Sequence, residues 1–94
     1  MSRRQYVVYI LTNRWHTVLY VGVTGNLARR LVQHRSGHGA RFTERYHAHK
    51  LVYVQLFDDA RTAKARERQL KAGSRRKKVA LIEGVNPGWE NLAP

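Results

Sequence analysis

Cysteine is absent from these 94 residues, proline occurs twice, and acidic side chains number only six. The first absence excludes disulfides and every cysteine-based zinc centre. A small extracellular domain with no disulfide would be unusual, so a cytoplasmic location is the default expectation. Long apolar runs are missing as well. The first, Tyr6 to Leu11, is too short to cross a bilayer, and no small-residue cleavage site follows it. The basic segments lack the long apolar face of an interfacial helix, so a membrane partner is not expected. Nothing low-complexity or repetitive divides the chain. A single domain over residues 1–94 is expected, with its core over about 5–83 and a coil tail, 84–94, packed back on the body.

The scarcity of acid also restricts the chemistry. The six are Glu44, Asp58, Asp59, Glu67, Glu83 and Glu90. Asp58 and Asp59 stand where a helix cap is needed, and Glu83 and Glu90 belong to the C-terminal region. A two-metal phosphodiesterase needs several clustered acids, so one metal is the most this chain readily supports. Gly37-His38-Gly39 lacks the Gly-Lys-Ser/Thr ending of a phosphate-binding P-loop. No nucleophile-elbow pattern occurs. His47-Ala48-His49, and His34 with His38, have metal-compatible spacings but no accompanying ligand.

Positive charge is abundant. Eighteen Lys and Arg give a formal net charge of +12, and thirteen of them are Arg. Such an excess costs stability through self-repulsion, which points to a polyanionic partner. Arginine suits phosphate better than mere solubility requires. The alternative is charge that serves solubility alone.

Hydrophobic patterning outlines an α+β chain: a three-stranded, mainly antiparallel sheet with about three helices around it. Gln5 to Leu11 reads as the first strand, Thr12 to Thr17 as a polar turn, and Val18 to Val23 as the second strand. Asn26 can cap a helix running to about Ser36, ended by Gly37-His38-Gly39. Ala40 to Lys50 reads as a basic loop with at most a short helical turn, and Leu51 to Phe57 as the third strand. Asp58 or Asp59 then caps a helix from Ala60 to about Ala72, closed by Gly73. A shorter helix is expected from Ser74 to about Glu83, with Trp89 folded back from the tail.

Four groups stand out for chemistry. If the turn closes with Thr12 opposite Thr17, Tyr9 lies opposite Tyr20 on one face; two phenols there can equally be core packing. Gly22, inside the second strand, favours close approach of a ligand or another backbone. Arg30 and His34 share a helix face, one suited to a phosphate and the other to a water or proton; both can also be solvated surface residues. Glu67 falls inside the small, apolar stripe Ala60, Ala63, Leu70 and Ser74, with Lys64, Arg66, Arg68 and Lys71 in other directions. An inward carboxylate needs compensation, either from a salt bridge or from a metal ion such as magnesium.

In this order the residues resemble the GIY-YIG nuclease superfamily, in its small single-domain bacterial form. Val7-Val8-Tyr9 matches the first signature triplet, and Tyr20-Val21-Gly22 the second. Thr24 to Leu31 matches the segment that ends in an Arg-Leu pair. Glu67, within Ala65 to Lys71, matches the metal-binding glutamate, and Asn86 to Leu92 matches the tail of the small-protein group. Val8 and Val21 replace isoleucine conservatively, Val7 replaces a glycine where the backbone is an ordinary strand, and Val23 stands where some members carry lysine.

The resemblance implies a GIY-YIG endonuclease-like fold and a metal-dependent phosphodiesterase. Magnesium, or manganese in its place, would sit on Glu67 as metal ligand. Arg30 would stabilise phosphate charge, and Tyr9 and Tyr20 would orient the attacking water. Either a tyrosine or His34 would take its proton. Thr24, Asn26, Gly22, Arg41 and Asn86 are candidate substrate contacts. The partner implied is nucleic acid, DNA rather than RNA, with no obligate protein partner evident. Cutting with little sequence preference, in repair or recombination, is the leading expectation. The alternative is a basic module that binds DNA or RNA on the same fold without hydrolysing it.

Overall fold

The computed structural model describes residues 5–36 and 41–93. Strand β1 (Tyr6–Thr12) is the middle strand of a three-stranded sheet, flanked by β2 (Leu19–Thr24) and β3 (Lys50–Phe57). Both pairings are antiparallel, so the sheet is wholly rather than mainly so. Residues Val7 to Thr12 are all buried, which follows from a strand with a neighbour on each side and cover on both faces.

Helix α1 (Leu27–Arg35) covers one face, where Val7, Tyr9 and Leu11 pack with Leu31, Ala48 and Leu51. On the other face Val8, Ile10 and Val21 meet α3 (Ala60–Ala72) and α4 (Arg75–Val85) through Ala63, Leu70 and Ile82, and the chain beyond α4 through Trp89. A register shift in β3, where Ile10 pairs with Tyr53 and Leu11 with Leu51, skips Val52 and lets both Val52 and Tyr53 join that second cluster. The caps are local chemistry. Asn26, Asp59 and Ser74 each accept a first-turn amide, from Arg29, Thr62 and Lys77 respectively.

Three expectations need correction. The β1–β2 turn is longer than expected: Thr12 pairs with Leu19, so Tyr9 lies opposite Gly22 and Tyr20 opposite Leu11. The extra length is held by side chains. Asn13 Oδ1 accepts the Thr17 amide at 2.8 Å, its Nδ2 donates to Thr17 Oγ1 at 2.6 Å, and Thr12 Oγ1 donates to the Val18 carbonyl at 2.7 Å. Secondly, Arg41–Tyr46 forms a fourth helix, α2, more than the short helical turn allowed for in a basic loop. Its Thr43 is buried against α1, a tertiary contact that local composition does not reveal.

Thirdly, α4 continues past Glu83 through Gly84 and Val85, and the tail starts at Asn86 rather than Gly84. The helical cost of Gly84 is about 1 kcal/mol, and Asn86 offsets it by closing the helix. The Asn86 amide donates to the Val52 and Glu90 carbonyls, and its oxygen accepts the Glu90 amide. Trp89 folds back as expected, with its indole donating to Glu83. The expected stop at Gly37-His38-Gly39 lies outside the described residues.

Candidate active site

The site begins with a missing side chain. A Cβ on Gly22 would lie 2.4 Å from the Cζ and hydroxyl of Tyr9, closer than any real contact. Tyr9, in the middle strand, can therefore lay its ring across β2 toward the sheet edge only because residue 22 is glycine. What approaches Gly22 closely is this phenol. Tyr20 is the diagonal neighbour on the same face, with ring centroids 6.4 Å apart. The shared face anticipated from the sequence stands, by a different register.

Helix α1, capped by Asn26 directly after β2, brings His34 over both phenols. Its ring lies 6.1 Å from Tyr9 and 5.6 Å from Tyr20, edge-on to each. His34 is 2% exposed, so it is not a solvated helix residue. Nε2 is 3.2 Å from the Tyr9 hydroxyl and Nδ1 is 2.8 Å from Thr43 Oγ1, so both ring nitrogens are engaged. Burial, then the charges of Arg30 and His49, hold its pKa below the usual imidazole value, and the ring is neutral at neutral pH.

Burial also pushes the Tyr9 phenol well above its ordinary value, with Tyr20 adding to the rise; Arg30 opposes it and Glu67 adds to it. Tyr9 consequently keeps its proton at neutral pH. Tyr20 is half-buried while Tyr9 is 1% exposed, so Tyr20 is the phenol that meets solvent.

Arg30, on α1, lines two small clefts. One is shared with Thr24, Asn26, Arg29 and Gln33, the other with Tyr6, Val23, Ala60 and Lys64. Thr24 and Asn26 shape the turn into α1: Thr24 Oγ1 accepts the Asn26 amide at 3.1 Å, and Asn26 Oδ1 accepts the Arg29 amide at 3.1 Å. Arg41 is exposed at the start of α2, two residues before Thr43.

Glu67 approaches from the opposite side of the sheet. Helix α3 packs Ala63 and Leu70 into the core, and the intervening turn carries Glu67, whose partner Lys71 lines a cleft with Leu19, Tyr20 and Val21 of the edge strand β2. The Glu67 side chain is 18% exposed and pairs with Lys71 at 3.3 Å. Lys71 therefore does not point away from Glu67, as the sequence had suggested. Positions 64, 67 and 71 fall on one helical stripe, a spacing that was available in the sequence. Thr43 had no comparable signal.

Asn86 is not brought to the site. Its amide is spent on β3 and the tail, and β3 is the sheet edge opposite β2. The His47 and His49 rings are 6.2 Å apart, but no group of three or more His, Cys, Asp or Glu suited to a metal occurs among the described residues. No helix among them is long and apolar enough to cross a membrane.

A buried imidazole, two phenols, a guanidinium and one carboxylate thus surround the edge of β2 in a cationic setting. Groups of these kinds suit phosphate, water and a divalent ion. Residues 5–80 match the family model described as the GIY-YIG catalytic domain. The chain is 38% identical over 84 residues to a UPF0213 protein of Clostridium perfringens, covering 89% of each. It is 40% identical over 77 residues to a UPF0213 protein of Syntrophus aciditrophicus, covering 81% of this chain and 87% of that one. The solution NMR structure of a UPF0213 protein from Bacillus halodurans is similar with a TM-score of 0.60 and 33% identity, over 93% of this chain and 92% of that one.

Proposed function

This chain belongs to the GIY-YIG family, and on that premise we propose that it is a magnesium-dependent nuclease that hydrolyses DNA phosphodiester bonds. The observation that carries the reading is the cluster of Tyr9, Tyr20 and His34 at the edge of β2, with Arg30 on the same helix as His34 and Glu67 held by Lys71, which lines a cleft with Tyr20.

A single partly exposed carboxylate suits magnesium, which typically takes one or two carboxylates and completes its shell with phosphate oxygens and waters. Glu67 would hold the ion, or manganese in its place. When bound, such an ion supplies charge stabilisation at the scissile phosphate and its leaving oxygen. Arg30 grips the non-bridging oxygens and neutralises the charge that builds there in the transition state. Tyr20, on the solvent side, orients the attacking water. Tyr9, which keeps its proton, links that water to His34. In the tautomer protonated at Nδ1, the imidazole accepts from Tyr9 through Nε2 and donates to Thr43, so it can receive the proton the water gives up.

Thr24, Asn26 and Arg41 would steady the phosphate backbone on either side. Backbone contacts position a protein without reading bases. Little sequence preference follows, with selection of ends, branches or damage as in repair and recombination. The chain would act as a single cytoplasmic domain.

One contact favours a second reading. Lys71 already neutralises Glu67, as suits a fold that binds nucleic acid and cuts nothing. The test incubates the protein with branched, nicked, single-stranded and linear DNA, and with RNA, in magnesium, manganese or chelator. Cutting that requires the ion is expected, and Glu67→Ala should abolish it while leaving affinity within about threefold. Equal cutting by Glu67→Ala overturns the ligand assignment. Tight binding without cutting under any ion leaves the second reading.

A further inference from the structure

Trp15 lies at the tip of the β1–β2 loop and is 65% exposed, in a protein whose other tryptophan, Trp89, is buried. An indole is among the costliest side chains to leave in water. Here it is held there by construction. Asn13 clamps Thr17 across the loop, His16 takes a left-handed backbone with φ 56°, and the His16 ring stacks on Trp89 at 4.5 Å. Arg75, at the start of α4, donates to the carbonyls of both His16 and Thr17. The loop is braced on both sides of Trp15, so the exposed ring does not belong to a slack tip.

Its surroundings are cationic. The Arg14 guanidinium lies over the Trp15 ring, 5.3 Å from its centre. From Arg75, α4 leads one turn on to Lys78. Lys78 lines a cleft of about 260 Å³ with Lys71, Leu19, Tyr20 and Val21. Tyr20, beside His34, and Glu67, paired with Lys71, are parts of the proposed catalytic centre. A basic path, Lys71–Lys78–Arg75–Arg14, therefore connects that centre to an exposed aromatic ring.

We infer that Trp15 is a stacking platform for an unpaired nucleobase of the substrate strand, whose backbone follows the Lys71–Lys78–Arg75 path from the catalytic centre. A cationic track beside an aromatic ring is the arrangement by which proteins take hold of single strands without reading their sequence, since every base has a π-face. Bases inside a duplex are stacked on one another and offer no free face. The platform therefore selects single-stranded, frayed or branched positions. The inference rests on the nucleic-acid reading above, but not on hydrolysis.

The experiment is done in chelator, so that nothing is cut. Tryptophan emission is titrated with a short single-stranded oligonucleotide, a blunt duplex, and inorganic polyphosphate, which carries the charge without bases. The single strand should quench emission and polyphosphate should not. Trp15→Ala should remove the quenching and weaken single-strand binding about tenfold, with duplex binding unchanged. Trp15→Tyr should restore most of the affinity. Quenching by polyphosphate equal to that by the single strand overturns the inference. So does a Trp15→Ala variant with undiminished single-strand affinity, or one that merely stops self-association. Should no polyanion bind, the inference and the nucleic-acid reading fail together. Trp15-dependent binding without cutting under any ion supports the inference and removes only the hydrolytic proposal.

Discussion

The Tyr9 hydroxyl and His34 Nε2 lie 3.2 Å apart, although 25 residues separate them in the chain. That contact joins the middle strand to the first helix within the site, and it turns two competing candidates for one role into parts of one hydrogen-bonded chain. The phenol is held protonated and the imidazole neutral.

Removing only the oxygen tests this link. Tyr9→Phe keeps the buried ring and breaks the connection to His34. Cleavage should fall by roughly 100-fold, the usual scale for losing one acid–base element, with DNA affinity unchanged. Single-turnover rates with saturating protein report it. A variant that cuts at the parental rate would reduce Tyr9 to a core residue.

Acid should weaken the fold. Burial, as the leading cause, lowers the pKa of His34, His49 and His16 alike. Below the ordinary histidine value of about 6.5 the unfolded chain binds protons that the folded one refuses. The stability contribution is thus whole above that value and is lost as pH falls through the lowered folded values. Denaturant midpoints measured from about pH 7.5 to 5 should decline, and His34→Gln should make the decline shallower. A rise in stability over that interval would contradict the burial of neutral imidazoles.

Gly22 is required by Tyr9. With 2.4 Å between a new Cβ and the phenol, Gly22→Ala should cost about 1–3 kcal/mol, as overpacked sites do. In a Tyr9→Ala background the same change should be nearly neutral, giving a coupling of about 1 kcal/mol or more. Four denaturation curves suffice. Additive effects would mean that the ring does not occupy the space over Gly22.

Asn86 should matter for folding and not for cutting. Its buried amide ties β3 to the tail, and Asn86→Ala leaves those carbonyls without their donor at a cost of about 1–3 kcal/mol. Cleavage at a temperature where the variant stays folded should match the parent. A selective loss of rate would return Asn86 to the list of substrate contacts.

Much of this site could be read in advance where one element carries its own signal. Asn26, Asp59 and Ser74 cap their helices because the cap is a local hydrogen bond. Arg30 and His34 share a face because helical spacing requires it. Glu67 was conspicuous as a carboxylate in an apolar stripe. The pairing of Tyr9 with Tyr20 was read two residues out of register because Asn13 and Thr12 lengthen the turn through side-chain bonds that no propensity encodes. Thr43 was passed over because its short helix is justified only by what it packs against.

Sequence alone determined the strands and principal helices, the cationic excess and the kinds of group on offer, since these follow from periodicity, composition and contacts a few residues apart. Tertiary structure decided that Tyr9 crosses Gly22 to the sheet edge, that Thr43 engages His34, and that Glu67 arrives there from the opposite layer. Each joins elements distant along the chain, and such meetings are set by how side chains fill a shared space once the layers have closed.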